Sequence, residues 1–390
     1  MAFEPDHRNA ARPARLLSDG QRSLLHLAMT TASLDIEGSL FESASDAGFD
    51  VDALYLPALT ILAVEEPENN LAAFYLSRII GQLLELGRTP RVQVLLSSHS
   101  ASSLSRIDPS NVRYFRRDSI LGSTSVRAIT LPGNEDEAGT YVREAVRAHP
   151  ELYFARFVVL GEGDSEQVVL PAIAQALGVD LDPSFVAMVP LGGRHTQHFW
   201  RLLTDLEIPH ATLLDFDYGR SGGGPGRLRN ACVNLTGVGV DVFGSLEGFG
   251  GPSDIHDSLS LSELRPVRDR LRELGVFFSA PLDLDMLMLC HYRDAYTKLD
   301  EGAHGPQDSD ATQAVLGVGG TVRGKKYWAP SDAEELKKRQ SDLGWYRYLF
   351  TNRSKPATHL SALSRMNDGD LSSPPGALKA IIEFVAAELR

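Results

Sequence analysis

Short apolar runs that end in polar or acidic residues recur along the chain and predict buried parallel strands. In the first third, apolar residues at helical spacing over 16–29 predict a helix, and the runs at 59–64 and 92–96 predict two strands. A helical pattern over 71–86 separates these strands, so the sequence predicts a strand, helix, strand unit. A stretch rich in Gly, Ser and acidic residues near 118–140 then predicts a boundary between domains.

The alternation restarts after that boundary and predicts a second α/β unit. Three apolar runs predict strands, at 157–160, 185–189 and 211–214. Two helical patterns lie between them, over 164–177 and 195–206. The glycine-rich segment 218–256 is predicted to be loop-like, and the polar segment 297–350 is predicted to be a partly helical excursion from the core.

Composition and charge narrow the class of protein. An apolar fraction of 43% and a charged fraction of 23% are typical of a folded globular chain. The net charge of −13 argues against general coating of nucleic acid, but it allows a local basic groove. We expect a cytoplasmic protein without a membrane span, because no apolar run is long enough and no secretory signal is recognisable. Cys232 and Cys290 lack the spacing of a zinc site or a disulfide framework.

Three motifs in the first part indicate a nucleotide site. Ser18 and Gly20 stand in LSDGQRS at a predicted helix start, where a serine caps the helix and backbone N–H groups can hold a phosphate. The run ILAVEE delivers Glu65 and Glu66 at the end of a strand, which suits Mg²⁺-nucleotide, with Glu65 facing the metal and Glu66 the attacking water. His99 ends the neighbouring strand and is placed to sense a terminal phosphate.

Three acidic pairs in the second part each follow an apolar run. They are Glu162 with Glu166, Asp215 with Asp217, and Asp283 with Asp285. Glu166 follows Glu162 by one helical turn, and the two-residue period of a strand predicts that each D-x-D pair points to one side. Such carboxylates would repel one another unless cations bind, and their hard oxygen atoms suit Mg²⁺ or Mn²⁺. Two such ions can clamp a phosphodiester.

The first part resembles the C-terminal half of an ABC-type ATPase head, as found in structural-maintenance and recombination proteins. The resemblance implies a signature motif, a Walker B motif, a D-loop and a switch histidine, at 17–23, 61–66, 68–71 and His99. No phosphate-binding loop precedes the Walker B motif, so ATP is expected only with a complete head. The run GGTVRGKK at 319–326 is interpreted as a chance match, because it lies downstream and carries Lys326 where a Mg²⁺-binding Ser or Thr should stand.

The second part resembles a Toprim domain, the metal fold of topoisomerases, primases and some nucleases. The residues that carry this resemblance are HPELYFARFVVLGEGDSE, Gly192-Gly193 and LLDFD. A Toprim domain after an ABC-type head is the arrangement of the overcoming lysogenization defect (OLD) family of nucleases, and the resemblance covers about 16–390. It implies a metal-dependent DNA endonuclease with two Mg²⁺ or Mn²⁺ ions at the three acidic pairs, with Glu162 and Asp215 catalytic.

That family also uses a lysine near the C-terminus, which we place at Lys355 in RSKPATHLSAL, with Lys325 and Lys326 as rivals. The long excursions suggest the helicase-associated, Gabija-like subgroup, and hence phage defence or DNA repair with a helicase-like partner. Three arginines flank the glycine-rich loop and could neutralise DNA phosphates, although ordinary surface exposure explains them equally well: Arg220, Arg227 and Arg229. A homodimer is expected.

The predicted fold class is α/β, with half of an ABC-type head followed by a Rossmann-like Toprim sheet with a helical insertion. The predicted limits are 1–125 for the head, 126–150 for a linker and 151–390 for the Toprim domain, with insertions near 218–270 and 297–350. Two other functions stay open. One is a primase- or topoisomerase-like Toprim enzyme, and the other is a non-catalytic head fragment that clamps DNA.

Overall fold

The structure of the 390-residue chain is a computed structural model. The residues described are 2–3, 12–43, 57–69, 71, 73–117, 122–129, 140, 143–144, 147–192, 196–299, 302, 304–307, 311–351 and 353–390. The chain divides into two compact units, Met1–Pro109 and Ser110–Arg390. Much of the predicted linker 126–150 lies outside the described residues, so the predicted domain limits stay a prediction.

The first unit contains the predicted strand, helix, strand unit. Its elements are β1 (Ala2–Phe3), β2 (Arg12–Pro13), a 3-10 turn (Ala14–Leu16), α1 (Asp19–Ser43), β3 (Thr60–Glu65), α2 (Ala73–Leu86), β4 (Val92–Ser97) and α3 (Ala101–Leu104). Strands β3 and β4 pair in parallel, with Glu65 opposite Ser97 at their C-terminal ends. Helix α1 is longer than predicted, because Leu34 and Leu40 extend its buried stripe beyond residue 29.

The second unit is built on a parallel sheet. A hairpin of β5 (Arg113–Arg117) and β6 (Thr124–Ala128) precedes four strands, β7 (Phe157–Gly161), β8 (Val186–Pro190), β9 (His210–Asp215) and β10 (Val276–Ser279). The four strands are parallel in the order β10-β9-β7-β8. Every residue of the central strand β7 is buried, as expected for a strand covered on both faces, and every residue of the edge strand β10 is buried as well.

Helices connect these strands and form the C-terminal part of the unit. They are α4 (Asp164–Ala176), α5 (Thr196–Asp205), α6 (Pro225–Gly237), α7 (Arg265–Glu273), α8 (Leu284–His291), α9 (Arg293–Thr297), α10 (Ala311–Leu316), α11 (Gly320–Arg323), α12 (Lys325–Trp328), α13 (Ala333–Tyr346), α14 (Lys355–Leu363), α15 (Asp368–Leu371) and α16 (Gly376–Glu388). Short 3-10 helices lie at Pro109–Asn111, Pro150–Phe154 and Pro252–Asp254, and a π-helical turn at Arg347–Thr351 follows α13.

The α/β class is confirmed, and one prediction within it is wrong. The segment 218–256 is not simply a loop, because α6 occupies its middle. Pro225 starts that helix directly after Gly224, and Leu228, Cys232 and Leu235 form a buried stripe at helical spacing. The predicted helical character of 297–350 is confirmed. No helix in the described part of the chain is both long and apolar enough to cross a bilayer.

Candidate active site

The first acidic pair lies where β7 passes into α4. Glu162 follows the last residue of β7, and Glu166 lies in the first turn of α4, where its Oε2 accepts a hydrogen bond from the Gly163 N–H at 3.1 Å. A Cβ atom on Gly161 would lie 2.8 Å from the Cβ of Glu166. Glycine at the strand end therefore lets the helix begin close enough to bring both carboxylates to one place.

The second pair lies at the end of β9. The backbone N–H of Asp215 donates to Oε2 of Glu162 at 2.8 Å, and its Oδ1 accepts from the Ser279 hydroxyl at 3.0 Å. Asp217 lies beyond the strand with a φ of 53°, and its N–H donates to the Leu282 carbonyl at 2.6 Å. The sequence-based reason for the pairing was wrong, because a left-handed turn, and not strand alternation, positions Asp217.

The third pair also differs from its predicted geometry. Pro281 follows β10 and ends the strand, so Asp283 is the N-cap of α8 and Asp285 lies in its first turn. The Oδ1 of Asp283 accepts from the Met286 N–H at 2.9 Å, and its Oδ2 accepts from the Tyr346 hydroxyl. The apolar spacing of LDMLMLCH favours a helix, and the capping aspartate fixes where it begins.

A lysine and a histidine from α14 hold Asp285. The Nζ of Lys355 lies 2.5 Å from its Oδ2, and the Nε2 of the fully buried His359 donates to its Oδ1 at 2.8 Å. The Tyr296 hydroxyl contacts the other ring nitrogen of His359, and Ser165 donates to the same Oδ1 at 3.2 Å. Sequence reasoning missed these three polar residues, although the four-residue spacing from Lys355 to His359 places both on one helical face.

Arg220 and Arg227, which were predicted to contact DNA, lie among these carboxylates. The Nη1 of Arg220 lies 2.7 Å from Oδ1 of Asp217 and 3.4 Å from Oδ2 of Asp283. The Nη1 of Arg227 lies 2.9 Å from Oε1 of Glu162, and its Nε donates to Oδ2 of Asp217 at 3.0 Å.

The third predicted arginine is placed differently. Arg229 donates to the Ile255 carbonyl at 2.7 Å and pairs with the exposed Asp257 at 2.8 Å. It therefore forms a separate surface contact on the same helix as Arg227. The two lysines that rivalled Lys355, Lys325 and Lys326, belong to α12, but their side chains lie outside the described residues.

The six carboxylates, the two arginines and Lys355 line one cleft of about 520 Å³. With Asp164, seven acidic side chains face three basic ones, so the cleft has an excess of negative charge. Burial raises the pKa of Asp215 well above its ordinary value, and repulsion from Glu162, Asp283 and Glu166 adds to the increase. Burial, with repulsion from Asp285 and Glu162, raises the pKa of Glu166 to about 7.

Asp285 and Lys355 form the opposite case. Burial alone would raise the pKa of Asp285, but the hydrogen bond from His359 and the charge of Lys355 outweigh it and lower that pKa. Burial alone would lower the pKa of Lys355, but Asp285 and Asp283 outweigh it and raise that pKa. Lys355 is therefore a cation at neutral pH, and it cannot act as a general base there.

The donor set fits hard divalent cations. Oxygen ligands from carboxylates are those that Mg²⁺ and Mn²⁺ prefer, and, after burial, repulsion between these carboxylates contributes to the raised pKa values of Asp215 and Glu166. Within the described part of the chain, no three acidic, histidine or cysteine side chains already surround one point as a ligand set. Arg220 and Arg227 lie between the carboxylates and neutralise them instead.

The buried Glu166 predicts a pH-dependent stability of the metal-free protein. Its folded-state pKa of about 7 exceeds the ordinary 4.5, so the folded chain binds more protons than the unfolded chain between these values. The free energy of unfolding should therefore fall as pH rises from about 4.5 to about 7, by up to about 3 kcal/mol from this group. Urea denaturation in EDTA at pH 5 and pH 8 measures the change.

Glu166→Gln is the matched variant for this measurement. Glutamine keeps an oxygen that can accept the Gly163 hydrogen bond but never acquires a charge. We expect the variant to be more stable than the natural chain at pH 8 and to differ little from it at pH 5. If the free energy of unfolding of the variant differed from that of the natural chain by the same amount at pH 5 and pH 8, the raised pKa of Glu166 would be contradicted.

In the first unit, the residues predicted to bind nucleotide lie on the helix and strands that the sequence predicted for them. Ser18 and Gln21 cap each other at the start of α1, with the Gln21 N–H donating to the Ser18 hydroxyl at 3.3 Å. Gly20 lies in that first turn. Glu65 is exposed at the end of β3, and Glu66 follows it with a φ of 45°.

The predicted D-loop lies close to the predicted switch histidine. The ring of His99 lies 3.6 Å from Oε1 of Glu66, and the His99 N–H and the Ser98 hydroxyl both donate to Oε1 of Glu68. Of this D-loop, 68–71, Asn70 lies outside the described residues, as does Gly193 of the predicted Gly192-Gly193 pair. The ends of β3 and β4 thus meet, as in the predicted nucleotide site, while its use of nucleotide stays a prediction.

Comparisons with known proteins match both units. Residues 153–217 match the family model of the overcoming lysogenization defect protein-like Toprim domain, and residues 1–105 match an AAA domain described as a putative AbiEii toxin of a type IV toxin–antitoxin system. The chain is 27% identical over 188 residues to the endonuclease GajA of Bacillus cereus (strain VD045). That alignment covers 47% of this chain and 31% of GajA, so the match spans about a third of the relative's length.

Solved structures of OLD proteins are also similar. The C-terminal region of the Burkholderia pseudomallei OLD protein matches with a TM-score of 0.39 and 19% identity, over 61% of this chain and all of that one. The corresponding region of the Xanthomonas campestris pv. campestris OLD protein matches with a TM-score of 0.34 and 20% identity, over 60% of this chain and 96% of that one.

Proposed function

The chain belongs to the OLD family, with a AAA-type ATPase region followed by a Toprim domain, and we propose that it is a divalent-metal-dependent DNA endonuclease. It would hydrolyse phosphodiester bonds in the acidic cleft with two Mg²⁺ or Mn²⁺ ions. The name of GajA supports endonuclease activity, and phage defence or DNA repair in the cytoplasm is the proposed setting.

One observation carries the proposal. Carboxylates from the ends of three parallel strands converge on one cleft, together with a charged lysine. A cleft of this charge would repel a DNA phosphate unless cations bind there first. Divalent ions would both remove that barrier and supply the chemistry of hydrolysis, which includes a lower pKa for the attacking water and stabilisation of the leaving oxygen.

The side chains divide into ligands and groups that position them. Asp215, Asp217 and Glu162 adjoin one another at the ends of β7 and β9, and Glu166, Asp283 and Asp285 line the same cleft, so these six would hold the ions. His359 fixes the orientation of Asp285 from the buried side, and Ser279 does the same for Asp215. Outer hydrogen bonds of this kind keep carboxylates aligned for metal binding.

Lys355 is the proposed catalytic cation. Its side chain is 44% exposed and lines the cleft, while Asp285 beside it is buried. Because it stays protonated at neutral pH, its contribution would be electrostatic stabilisation of the negative charge that develops on the phosphate. It can also hold a proton for the leaving oxygen.

The first unit would regulate the nuclease or join two copies of it. Its match to a AAA domain supports a nucleotide role, with Ser18, Gly20, Glu65, Glu66 and His99 as the proposed partial site. ATP would be hydrolysed only where a phosphate-binding loop completes that site. A homodimer and a helicase-like partner belong to the same proposal.

Plasmid cleavage tests the proposed function. Purified chain is incubated with supercoiled plasmid and Mg²⁺ or Mn²⁺, without ATP, and nicked and linear products are separated on agarose. We expect products that require the metal and vanish with EDTA. A matched variant, Asp257→Asn, removes an exposed carboxylate outside the cleft and should cut like the natural chain. An intact plasmid with both ions, at protein concentrations where the chain binds Mn²⁺, would contradict self-sufficient cleavage.

A topoisomerase-like enzyme is the second candidate, and one residue bears on it. Religation requires a tyrosine nucleophile at the metals, and the Tyr346 hydroxyl does reach the cleft through Asp283. However, Tyr346 is buried, and burial together with Asp283 raises the pKa of its hydroxyl far above the ordinary value. A donor held in this way is a poor nucleophile, which favours hydrolysis. Relaxed closed circles in the plasmid assay would favour the topoisomerase reaction instead.

The third candidate is a non-catalytic module that clamps DNA and binds a structural ion. It differs from the nuclease in one result, because a structural ion would stabilise the chain without producing any cleavage. The pairing of Lys355 with Asp285 at a partly exposed position favours a reactive site over a closed structural one.

A further inference from the structure

We propose that Arg227 alternates between two partners, the metal-binding carboxylates in the metal-free chain and a DNA phosphate once the ions are bound. This inference rests on the proposed function, since it concerns how the same cleft is loaded. In this proposal, Arg227 is a phosphate-binding residue that pairs with the metal-binding carboxylates until divalent ions bind to them.

The contacts of Arg227 suit such an exchange. Its guanidinium joins carboxylates from two strand ends, with Nη1 2.9 Å from Glu162 and Nε 3.0 Å from Asp217. Both acceptors are proposed metal ligands. Among the described residues these two carboxylates are its only hydrogen-bond partners, so nothing else retains the side chain when their charge is taken up.

The neighbouring arginine shows the contrast. Arg220 also binds Asp217 and Asp283, but its Nε donates to the Val315 carbonyl at 3.1 Å and its Nη2 to the Tyr346 hydroxyl at 3.2 Å. Neither acceptor is a carboxylate, and the Val315 carbonyl lies outside the acidic cluster. Arg220 is therefore anchored to the surrounding helices, whereas the hydrogen bonds of Arg227 within the described part of the chain go to the proposed ligands alone.

Exposure places Arg227 on the open side of the carboxylates. Its side chain is 31% exposed, whereas those of Glu162 and Asp217 are 9% and 11% exposed. A cation that binds Oε1 of Glu162 and Oδ2 of Asp217 therefore competes with the guanidinium for these two oxygens. This position also explains why the acidic cluster, as it stands, forms no ready ligand set within the described part of the chain.

A guanidinium group can bind a carboxylate or a DNA phosphate with the same donors. Its planar fork of N–H donors binds a carboxylate or a phosphate in the same way. When divalent charge occupies Glu162 and Asp217, their attraction for Arg227 becomes repulsion, and the freed fork lies at the mouth of the cleft where a phosphate arrives. By linkage, metal should then tighten DNA binding, and DNA should tighten metal binding by the same factor.

Metal binding without any reaction tests the exchange. Mn²⁺ affinity of the full chain is measured by electron paramagnetic resonance of free Mn²⁺, for the natural chain, Arg227→Met and Arg229→Met. Arg229 lies on the same helix and its substitution removes the same charge, but among the described residues its side chain binds only Ile255 and Asp257. We expect Arg227→Met to bind Mn²⁺ on the order of tenfold more tightly, and Arg229→Met to be unchanged.

DNA binding supplies the second half of the test. Fluorescence anisotropy of a short labelled duplex is measured in Ca²⁺ and in EDTA, with the duplex checked for integrity on a gel. Arg227→Met should bind DNA about tenfold more weakly in Ca²⁺ but like the natural chain in EDTA. Arg227→Lys keeps the charge but lacks the planar guanidinium. Its Mn²⁺ affinity and its DNA affinity in Ca²⁺ should lie between those of the natural chain and Arg227→Met.

The outcomes separate this inference from the proposed function. Mn²⁺ binding by Arg227→Met that is equal to or weaker than that of Arg229→Met, at equal melting temperature, would overturn the exchange and leave the nuclease intact. DNA affinity lost equally in Ca²⁺ and EDTA would also overturn it, since Arg227 would then contact DNA at all times. A natural chain that binds no Mn²⁺ would overturn both proposals.

Discussion

An Asp215→Asn chain should lose metal-dependent DNA cleavage by about a thousandfold or more, on the scale seen when one member of a catalytic set is removed. Asp215 ends the central strand β9 and lies between the other two acidic pairs, with its N–H bound to Glu162 and its Oδ1 bound to Ser279. Asparagine keeps the size of the side chain and an oxygen for the Ser279 hydroxyl, but it removes the charge that a divalent ion requires.

The same substitution should make the metal-free chain more stable. Burial and neighbouring carboxylates raise the pKa of Asp215, so the ionised side chain costs folding free energy at pH 8. We expect a melting temperature in EDTA about 2–4 °C above that of the natural chain. Scanning fluorimetry and the plasmid assay on one preparation measure both effects. Loss of activity together with a lower melting temperature would indicate misfolding, and retained activity would exclude Asp215 from the site.

The fold could be predicted from the sequence where strands are buried on both faces. FVVLG and HATLLD form apolar runs that only central parallel strands explain, and acidic residues directly follow them or end them. Because parallel strands end at one edge of a sheet, the convergence of Glu162 and Asp215 followed from local pattern alone. Glycine-rich sequence was less informative, since SGGGPG suggested a loop and gave no sign of the helix that begins at Pro225.

Side-chain partners depended on contacts between distant segments, which a local pattern does not contain. Asp283 and Asp285 were predicted as a strand pair, but a proline and a helix start position them, and His359 and Tyr346 reach them from helices more than sixty residues away. Arg227 was noted for its charge alone. Only the folded chain places its guanidinium on Glu162 and Asp217.

The cleft combines two opposing requirements. Metal binding needs several carboxylates close together. Folding without metal needs the repulsion between these carboxylates to be reduced. The chain meets the second requirement with raised pKa values at Asp215 and Glu166 and with three cations. Arg220 also binds the Val315 carbonyl and Lys355 is partly exposed, whereas Arg227 binds only carboxylates among the described residues. Stability lost at such a site is a common consequence of catalytic function.

Lys355→Met should lower kcat for DNA cleavage by about a hundredfold to a thousandfold, the range found when one group that stabilises transition-state charge is removed. Methionine keeps the length of the side chain without its charge, so packing at the start of α14 is preserved. Because Lys355 neutralises Asp285 and is not itself a metal ligand, Mn²⁺ affinity should not fall. An effect on KM alone would assign Lys355 to DNA binding and not to the chemical step.

Lysine variants at other positions make this prediction specific. Lys325→Met and Lys326→Met test the two rival positions in α12, and Lys379→Met removes an exposed lysine that pairs with Glu383 on α16. We expect all three to retain kcat within about threefold, because only Lys355 is proposed to act on the phosphate and substitutions outside a functional site have small effects. A hundredfold loss in the Lys325 or Lys326 variant, with Lys355→Met active, would move the catalytic cation to α12. In that case the contact between Lys355 and Asp285 would serve only to hold α14 against the acidic cleft.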